Sequence, residues 1–176
     1  NGKPLTEPLG STLDFKNFQD LMFVPSMFPL PDGTPLDKKV VIGKKAKKPM
    51  ELPVPFMIAA MAYGASVSKR VKLALAQASL AEGTATNSGE TGFLAEEREI
   101  VKLYVVQYNR AGWNNTPEQL QQADMIEIKI SQGASAGDGF RRTSERIDDE
   151  LREHLNLEEG QDAVMPARFP DINSVE

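Results

Sequence analysis

Between Ile126 and Gly139 the chain reads IEIKISQGASAGDG. Apolar Ile126, Ile128 and Ile130 alternate with charged Glu127 and Lys129, the period of two that marks a strand. A loop holding Gly133, Gly137 and Gly139 follows. The same succession of strand, loop and helix recurs upstream. The continuous apolar run PFMIAAM (55–61) predicts a short buried strand. Ser66 or Ser68 is placed to cap a helix reaching about Glu82, with Val71, Leu75 and Ala78 on one face and Gly83 as its stop. TATNSGETG (84–92) predicts a second strand passing into a glycine loop. FLAEEREIV (93–101) predicts a short helix, and KLYVVQYN (102–109) a third strand. Thr116, Pro117 and Gln119 form the pattern of a capping box at a helix start. MIEIKIS (125–131) is the fourth predicted strand. A charged helix is expected over 143–157, where Ile147, Leu151 and Leu155 are spaced by four.

Short strands alternating with short helices predict parallel strands joined by helical crossovers. Two architectures use this pattern, the doubly wound sheet and the (β/α)8 barrel. No G-x-G-x-x-G follows the first strand, which disfavours a dinucleotide-binding fold. The alternation in the fourth strand favours the parallel (β/α)8 TIM-barrel type, whose strands are covered on both faces. The isoleucines then face outer helices, and Glu127 and Lys129 point inward, with Lys129 nearer the C-terminal mouth. A lysine there either pairs with an acid such as Glu127 or holds an anionic ligand.

Residues 1–55 differ from the rest. Pro4, Pro8, Pro25, Pro29, Pro31, Pro35, Pro49, Pro53 and Pro55 exclude long helices. Phe15–Leu21 suits a short helix, PDGT (31–34) a turn, and KKVVIG (38–43) a strand. Phe15, Phe18, Met22, Phe23, Met27 and Phe28 are too apolar for a disordered tail. We therefore expect two units: an N-terminal extension over 1–55 that packs on the outside of the strands, and the βα units over 56–176.

Composition narrows the functions. The net charge of −5 argues against a nucleic-acid partner, and Lys44, Lys45, Lys47 and Lys48 read as a solvated turn. With no cysteine and a single histidine, His154, no thiolate or histidine metal site is expected within this stretch. A reducing, cytoplasmic compartment is the default expectation. No apolar run approaches the roughly 20 residues that span a bilayer, so no membrane role is expected.

With these residues laid out, the sequence resembles the FMN-binding synthase domain of glutamate synthase, in its archaeal-type, stand-alone form. The likeness runs from about Phe15 to Glu176. FQDLMFVPSMFPLP and VVIGKKAKKPMELPVPFMIAAMAYGASVS are similar to the family's lead-in to its first barrel strand. TATNSGETG resembles its serine–asparagine, glycine–glutamate–glycine loop, and TPEQLQQADMIEIKISQGASAGDG its fourth strand and following loop. VMPARFPDINSVE resembles the segment leading to the next helix. The resemblance implies an FMN-dependent barrel that adds ammonia to 2-oxoglutarate and reduces the 2-iminoglutarate to L-glutamate. It implies that Ala60, Met61 and Ala62 lie against the flavin through backbone groups and that Gln107 reaches the polar edge of the ring. It makes Lys129 the catalytic candidate, facing flavin or substrate. Asn87, Ser88, Gly89 and Glu90, with Ser131 and Gln132, would shape the 2-oxoglutarate pocket. The ammonia would be free or glutamine-derived, which brings in a glutaminase and an electron-donor subunit as implied partners.

The family often carries serine where Ala62 stands, an acidic residue at Phe93, lysine–proline at Ser135-Ala136 and arginine near Gly112. These departures leave open a relative acting on another amine or 2-oxo acid, such as a methylglutamate synthase, or a non-catalytic barrel piece. Four βα units are half of a barrel of typically ~250 residues. The chain is therefore expected to be a fragment. The resemblance places the phosphate-gripping loops and the cysteines of an iron–sulfur cluster downstream.

Overall fold

A computed structural model of the chain describes residues 20–130, 132, 139–172 and 174. The chain is a mixed α/β structure built on a parallel sheet. Its described strands are β1 (Val40–Ile42), β2 (Met50–Leu52), β3 (Ala85–Asn87), β4 (Leu103–Tyr108), β5 (Met125–Ile128), β6 (Phe140–Arg142) and β7 (Ala163–Met165). The helices are α1 (Lys69–Glu82), α2 (Ala95–Ile100), α3 (Pro117–Leu120) and α4 (Asp149–His154). Strands β3, β4 and β5 lie side by side in chain order, all parallel. Val105 pairs with Met125 and Gln107 with Glu127 in the β4–β5 register. Each crossover carries a helix, as the alternating pattern predicts.

The helix ends follow the predicted chemistry. Ser68 caps α1 by accepting the Val71 amide, and Gly83 closes it in the left-handed conformation at φ 67°. The α3 capping box is complete: Thr116 accepts the Gln119 amide while the Gln119 side chain accepts the Thr116 amide. Thr116→Ala removes one of these bonds at an exposed site. Such a loss costs about 1 kcal/mol, readable as a lower urea midpoint at unchanged slope.

The sheet has two differently covered faces. Tyr104 and Val106 pack with Ala76, Phe93 and Val101 beneath α1 and α2. Ala85 and Val105 pack on the opposite face with Met50 and Leu52 from the antiparallel β1–β2 hairpin, joined by Leu103 and Met125. Strand β5 is covered on one face only. Its Glu127 side bonds to the neighbouring strand, while Ile126, Ile128 and Ile130 are 47, 58 and 74% exposed. The isoleucines do lie on the helix-side face, but no described helix covers them.

Three expectations are corrected. Residues 55–61 do not form a strand of the sheet. Pro55 removes one donor, and among the described bonds the segment is tied to β3 by Ile58 N–H to Ala85 O at 2.9 Å and Thr84 Oγ1 to Phe56 O at 2.5 Å. The described proline-rich part meets the sheet through one hairpin. Its β1–β2 hairpin covers the face of Val105 and Met125, and Met22, Phe23, Met27 and Phe28 ahead of it are 84–98% exposed. Phe15 and Phe18 lie outside the described residues. The buried face of α1 is Lys72, Ala76 and Ser79, with Val71 exposed. Lastly, 143–157 is not one helix. Asp148 accepts the Leu151 amide and starts α4 there, leaving Ser144–Arg146 as a 3-10 turn and Ile147 extended. Ile147, Leu151 and Leu155 still form one core, with Tyr63 and Ala163. The antiparallel β6–β7 pairing, Phe140 with Met165, adds a two-stranded sheet that the pattern does not predict.

Candidate functional site

Parallel strands leave polar residues at their C-terminal ends because the ladder stops there and the chain turns away. Along β4 the face covered by the hairpin reads Leu103, Val105, Gln107, and along β5 Met125, Glu127, then Lys129. The apolar members sit at the base, on Met50 and Leu52. The polar members gather at the other end. Gln107 Nε2 donates to Glu127 Oε1 at 2.5 Å. The Lys129 amide donates to Tyr108 O at 3.1 Å, extending the β5 ladder by one residue. Lys129 Nζ reaches Glu90 Oε2 at 2.6 Å and Gln132 Oε1 at 2.9 Å. The Lys129 and Glu90 side chains are 18 and 17% exposed, so the pair is largely but not fully withdrawn from water.

The loop after β3 forms the next wall. Asn87 is buried, and its Oδ1 accepts the Gly89 amide at 2.9 Å, turning the chain. Ser88 Oγ accepts the Gln107 amide at 2.9 Å and donates to Gly89 O, which ties this loop to β4. Gly89 has φ 75°, and a Cβ there would stand 2.5 Å from Met61 C and Ala62 N. Only glycine lets the loop lie flat on the Met61–Ala62 backbone. Ala60 is exposed, Met61 half-buried and Ala62 buried. The contacts thus join Met61–Ala62 to Gly89, Ser88 to Gln107, and Glu90 to Lys129. Ser131 lies outside the described residues, as do Gly133, Gly137, Ser135 and Ala136. Gln132 is exposed and joined through Lys129.

Gln107 is 4% exposed, and its Oε1 is buried with no hydrogen-bond partner among the described residues. A buried acceptor left open costs free energy unless a donor arrives. It stands beside a carboxylate, an ammonium and a close-packed backbone turn. This donor set fits a planar heteroaromatic ring that carries an N–H and gathers negative charge, as a flavin does. Among the described residues no group of three or more metal-ligating side chains exists, and no helix is long and apolar enough to cross a membrane.

The departures from the family pattern can now be located. Phe93 is 6% exposed and meets Tyr104 edge-on at 5.8 Å, so it belongs to the helix-side core rather than to the loop surface. Arg110, two residues before Gly112, is 3% exposed and donates from Nη1 to Ala167 O at 2.7 Å. The pattern of residues offered Glu127 as a partner for Lys129; it did not pair Glu127 with Gln107, which it contacts instead, while Lys129 meets Glu90. Nor did it single out Asn109, whose side chain knits the 109–115 loop through Trp113 O and Asn115 Oδ1. The asparagines Asn109, Asn114 and Asn115 clustered after a strand are the signal that could have found that loop.

His154 closes the far side. Its ring meets Tyr63 edge-on at 5.1 Å, and Asn114 Nδ2 stands 3.2 Å from Nε2. Burial holds its imidazole below the usual range, assisted by the charge of Lys69 and opposed by a backbone hydrogen bond with Thr91 and by the negative charges of Glu96 and Glu150. A base whose folded pKa is depressed stabilises the fold above its unfolded value of about 6.5 and loses that contribution as pH falls through the folded value. We expect the thermal midpoint to fall from pH 7.5 to pH 5.5, more steeply than in His154→Gln. Equal slopes for the two proteins would remove His154 from this account.

Comparison with known proteins identifies the family. A family model described as the conserved region in glutamate synthase matches residues 17–176. A glutamate synthase large subunit-like protein of Rhizobium meliloti is 36% identical, covering 92% of this chain and 38% of that protein. An archaeal-type glutamate synthase [NADPH] of Thermotoga maritima is 32% identical over 86% of this chain and 33% of its own length. A glutamate synthase [NADH] of Saccharomyces cerevisiae is 29% identical over 69% of this chain and 6% of its own. The chain spans about a third of the length of the first two relatives. Matched over nearly all of its length, with its parallel sheet and the polar cluster at the strand ends, the chain belongs to the glutamate synthase family.

Proposed function

We propose that this chain is the first half of an FMN-binding (β/α)8 barrel, and that the C-terminal ends of β3, β4 and β5 carry part of a glutamate synthase site. The observation that carries the reading is the Gln107–Glu127 and Lys129–Glu90 pairing at one end of a parallel sheet, with a buried acceptor on Gln107 still open. Sites in such folds sit at that end. Glu127 holds Gln107 by its Nε2, so the Oε1 of the amide is fixed as an acceptor for an N–H of the ring. Lys129 offers the ammonium that balances negative charge on the ring's polar edge or on a substrate carboxylate. The Ala60–Ala62 backbone, held by Gly89, gives a flat surface for the ring. When bound, FMN supplies the hydride that converts 2-iminoglutarate, formed from 2-oxoglutarate and ammonia, into L-glutamate.

The protein's own residues do three things in this scheme. They bind a dicarboxylate through Lys129 and the loop amides, orient its carbonyl, and limit water. Glu90 keeps Lys129 turned to the loop. Ala62, buried against Gly89 where the family often carries serine, favours a second reading, a synthase taking a different 2-oxo acid or amine. A product assay of the full-length protein with 2-oxoglutarate, pyruvate and glyoxylate, each with ammonium or methylamine, separates them. Glutamate as the dominant product supports the first reading. N-methylated product overturns it in favour of the second. An iron–sulfur cluster, a glutaminase and an electron-donor subunit would come from sequence outside these 176 residues.

A further inference from the structure

Directly behind the site lies a charged cluster that the scheme above does not use. Lys72, on α1, is 2% exposed, and Glu97, on α2, is wholly buried. Lys72 Nζ faces Glu97 Oε1 at 2.9 Å and donates to the main-chain Asn87 O at 2.7 Å. Glu97 Oε2 accepts the Tyr104 hydroxyl at 2.8 Å, and the same hydroxyl oxygen accepts the Leu94 amide at 3.1 Å. Both helices and β4 therefore meet at one carbonyl, the last of β3.

Stability alone is a poor reason for this cluster. Withdrawing an ammonium and a carboxylate from water is costly, and well-packed apolar pairs often do as well or better. Burial pushes the Lys72 ammonium down and the Glu97 carboxyl up from their ordinary values, so the environment works against both charges. What the cluster supplies is a donor where the ladder ends. Beyond Asn87 the chain leaves the strand: Ser88 uses its hydroxyl, not its carbonyl, for the Gln107 amide, and Asn87 Oδ1 turns back to Gly89. Gly89 in turn rests on Met61 and Ala62.

We infer that Lys72, held by Glu97 and Tyr104, is a positioning residue that fixes the Asn87 carbonyl and thereby sets the Asn87–Gly89 turn against Met61–Ala62. The fixing of the turn stands on these contacts; its effect on a 2-oxo acid rests on the proposed function. Lys72 touches neither ring nor substrate in this arrangement, and acts through the backbone.

The test uses the full-length protein and two double variants. K72M/E97M replaces the pair with apolar residues, removing both charges together so that neither is left buried alone. K72Q/E97Q keeps an amide donor near Asn87 O. Expected for K72M/E97M is a near wild-type thermal midpoint with amide exchange in residues 87–92 faster by about tenfold or more, the size of losing one charge-assisted bond. The KM for 2-oxoglutarate should rise by a similar factor. K72Q/E97Q should recover most of the exchange protection. If K72M/E97M does not fold, K72Q/E97Q is compared with K72M/E97Q, which lacks the donor. Wild-type exchange over 87–92 in a folded protein without the donor would overturn the inference. Exchange that rises as expected in a protein that binds no FMN would retain the positioning role and discard the flavin reading.

Discussion

Lys129→Met is expected to lower turnover of the full-length protein by about a hundredfold, the usual cost of removing one group that stabilises developing charge. Its thermal midpoint should move by only a few degrees. The two effects differ because the contacts differ. Lys129 reaches Glu90 and Gln132 at the rim, where both partners keep some access to water, so Glu90 can be hydrated once the ammonium is gone. The β5 backbone bond of Lys129 to Tyr108 O does not depend on the side chain. If the lysine were only a structural partner of Glu90, turnover would survive and stability alone would change. Steady-state kinetics beside a thermal melt distinguish the two. Full activity with a lowered midpoint assigns Lys129 to the fold.

Gly89→Ala is expected to be the most damaging single methyl in the site. The added Cβ would stand 2.5 Å from Met61 C and Ala62 N and 2.7 Å from Ala62 Cα, all backbone atoms that cannot rotate aside. The residue would also have to hold φ 75°, which costs a non-glycine residue roughly 1 kcal/mol or more. Together with overpacking of typically 1–3 kcal/mol, the loss should reach about 3 kcal/mol unless the turn moves. If it moves, Asn87, Ser88 and Glu90 move with it, and flavin retention falls. Denaturant titration and the flavin-to-protein ratio after gel filtration read the two routes. A variant unchanged in both would show that Gly89 does not rest on Met61–Ala62.

Local chemistry was legible in the sequence wherever it is written in near neighbours. Ser68, Gly83 and the Thr116–Gln119 box lie within one helical turn of what they cap. The alternation of Ile126, Glu127, Ile128 and Lys129 gave the two faces of β5 correctly, because a one-residue slip would exchange them. What failed depends on distant partners. PFMIAAM has strand composition, but among the described bonds it meets β3 only through Ile58 N–H to Ala85 O and Thr84 Oγ1 to Phe56 O, too few for a ladder. Val71, Leu75 and Ala78 look like the apolar face of α1, yet the neighbours of Ala76 and Ser79 come so close that the small residues are the ones buried. Lys72 lies on that same face, four residues from Ala76, and its burial makes sense only with Glu97, 25 positions away. The split of 143–157 turned on Asp148, an N-cap sitting inside an apparently continuous helical pattern. Among the site residues, the sequence brought together Gln107, Lys129, Glu90 and the Asn87–Gly89 loop. It did not show that Glu127 would hold Gln107.

The most direct test of the central claim is a single turnover. The full-length protein is purified with whatever flavin it retains, reduced anaerobically, and mixed with 2-oxoglutarate and ammonium. The account predicts FMN at about one per chain, reoxidation that requires both substrates, and one L-glutamate formed for each flavin reoxidised. Absence of bound FMN, or reoxidation indifferent to 2-oxoglutarate, would contradict it.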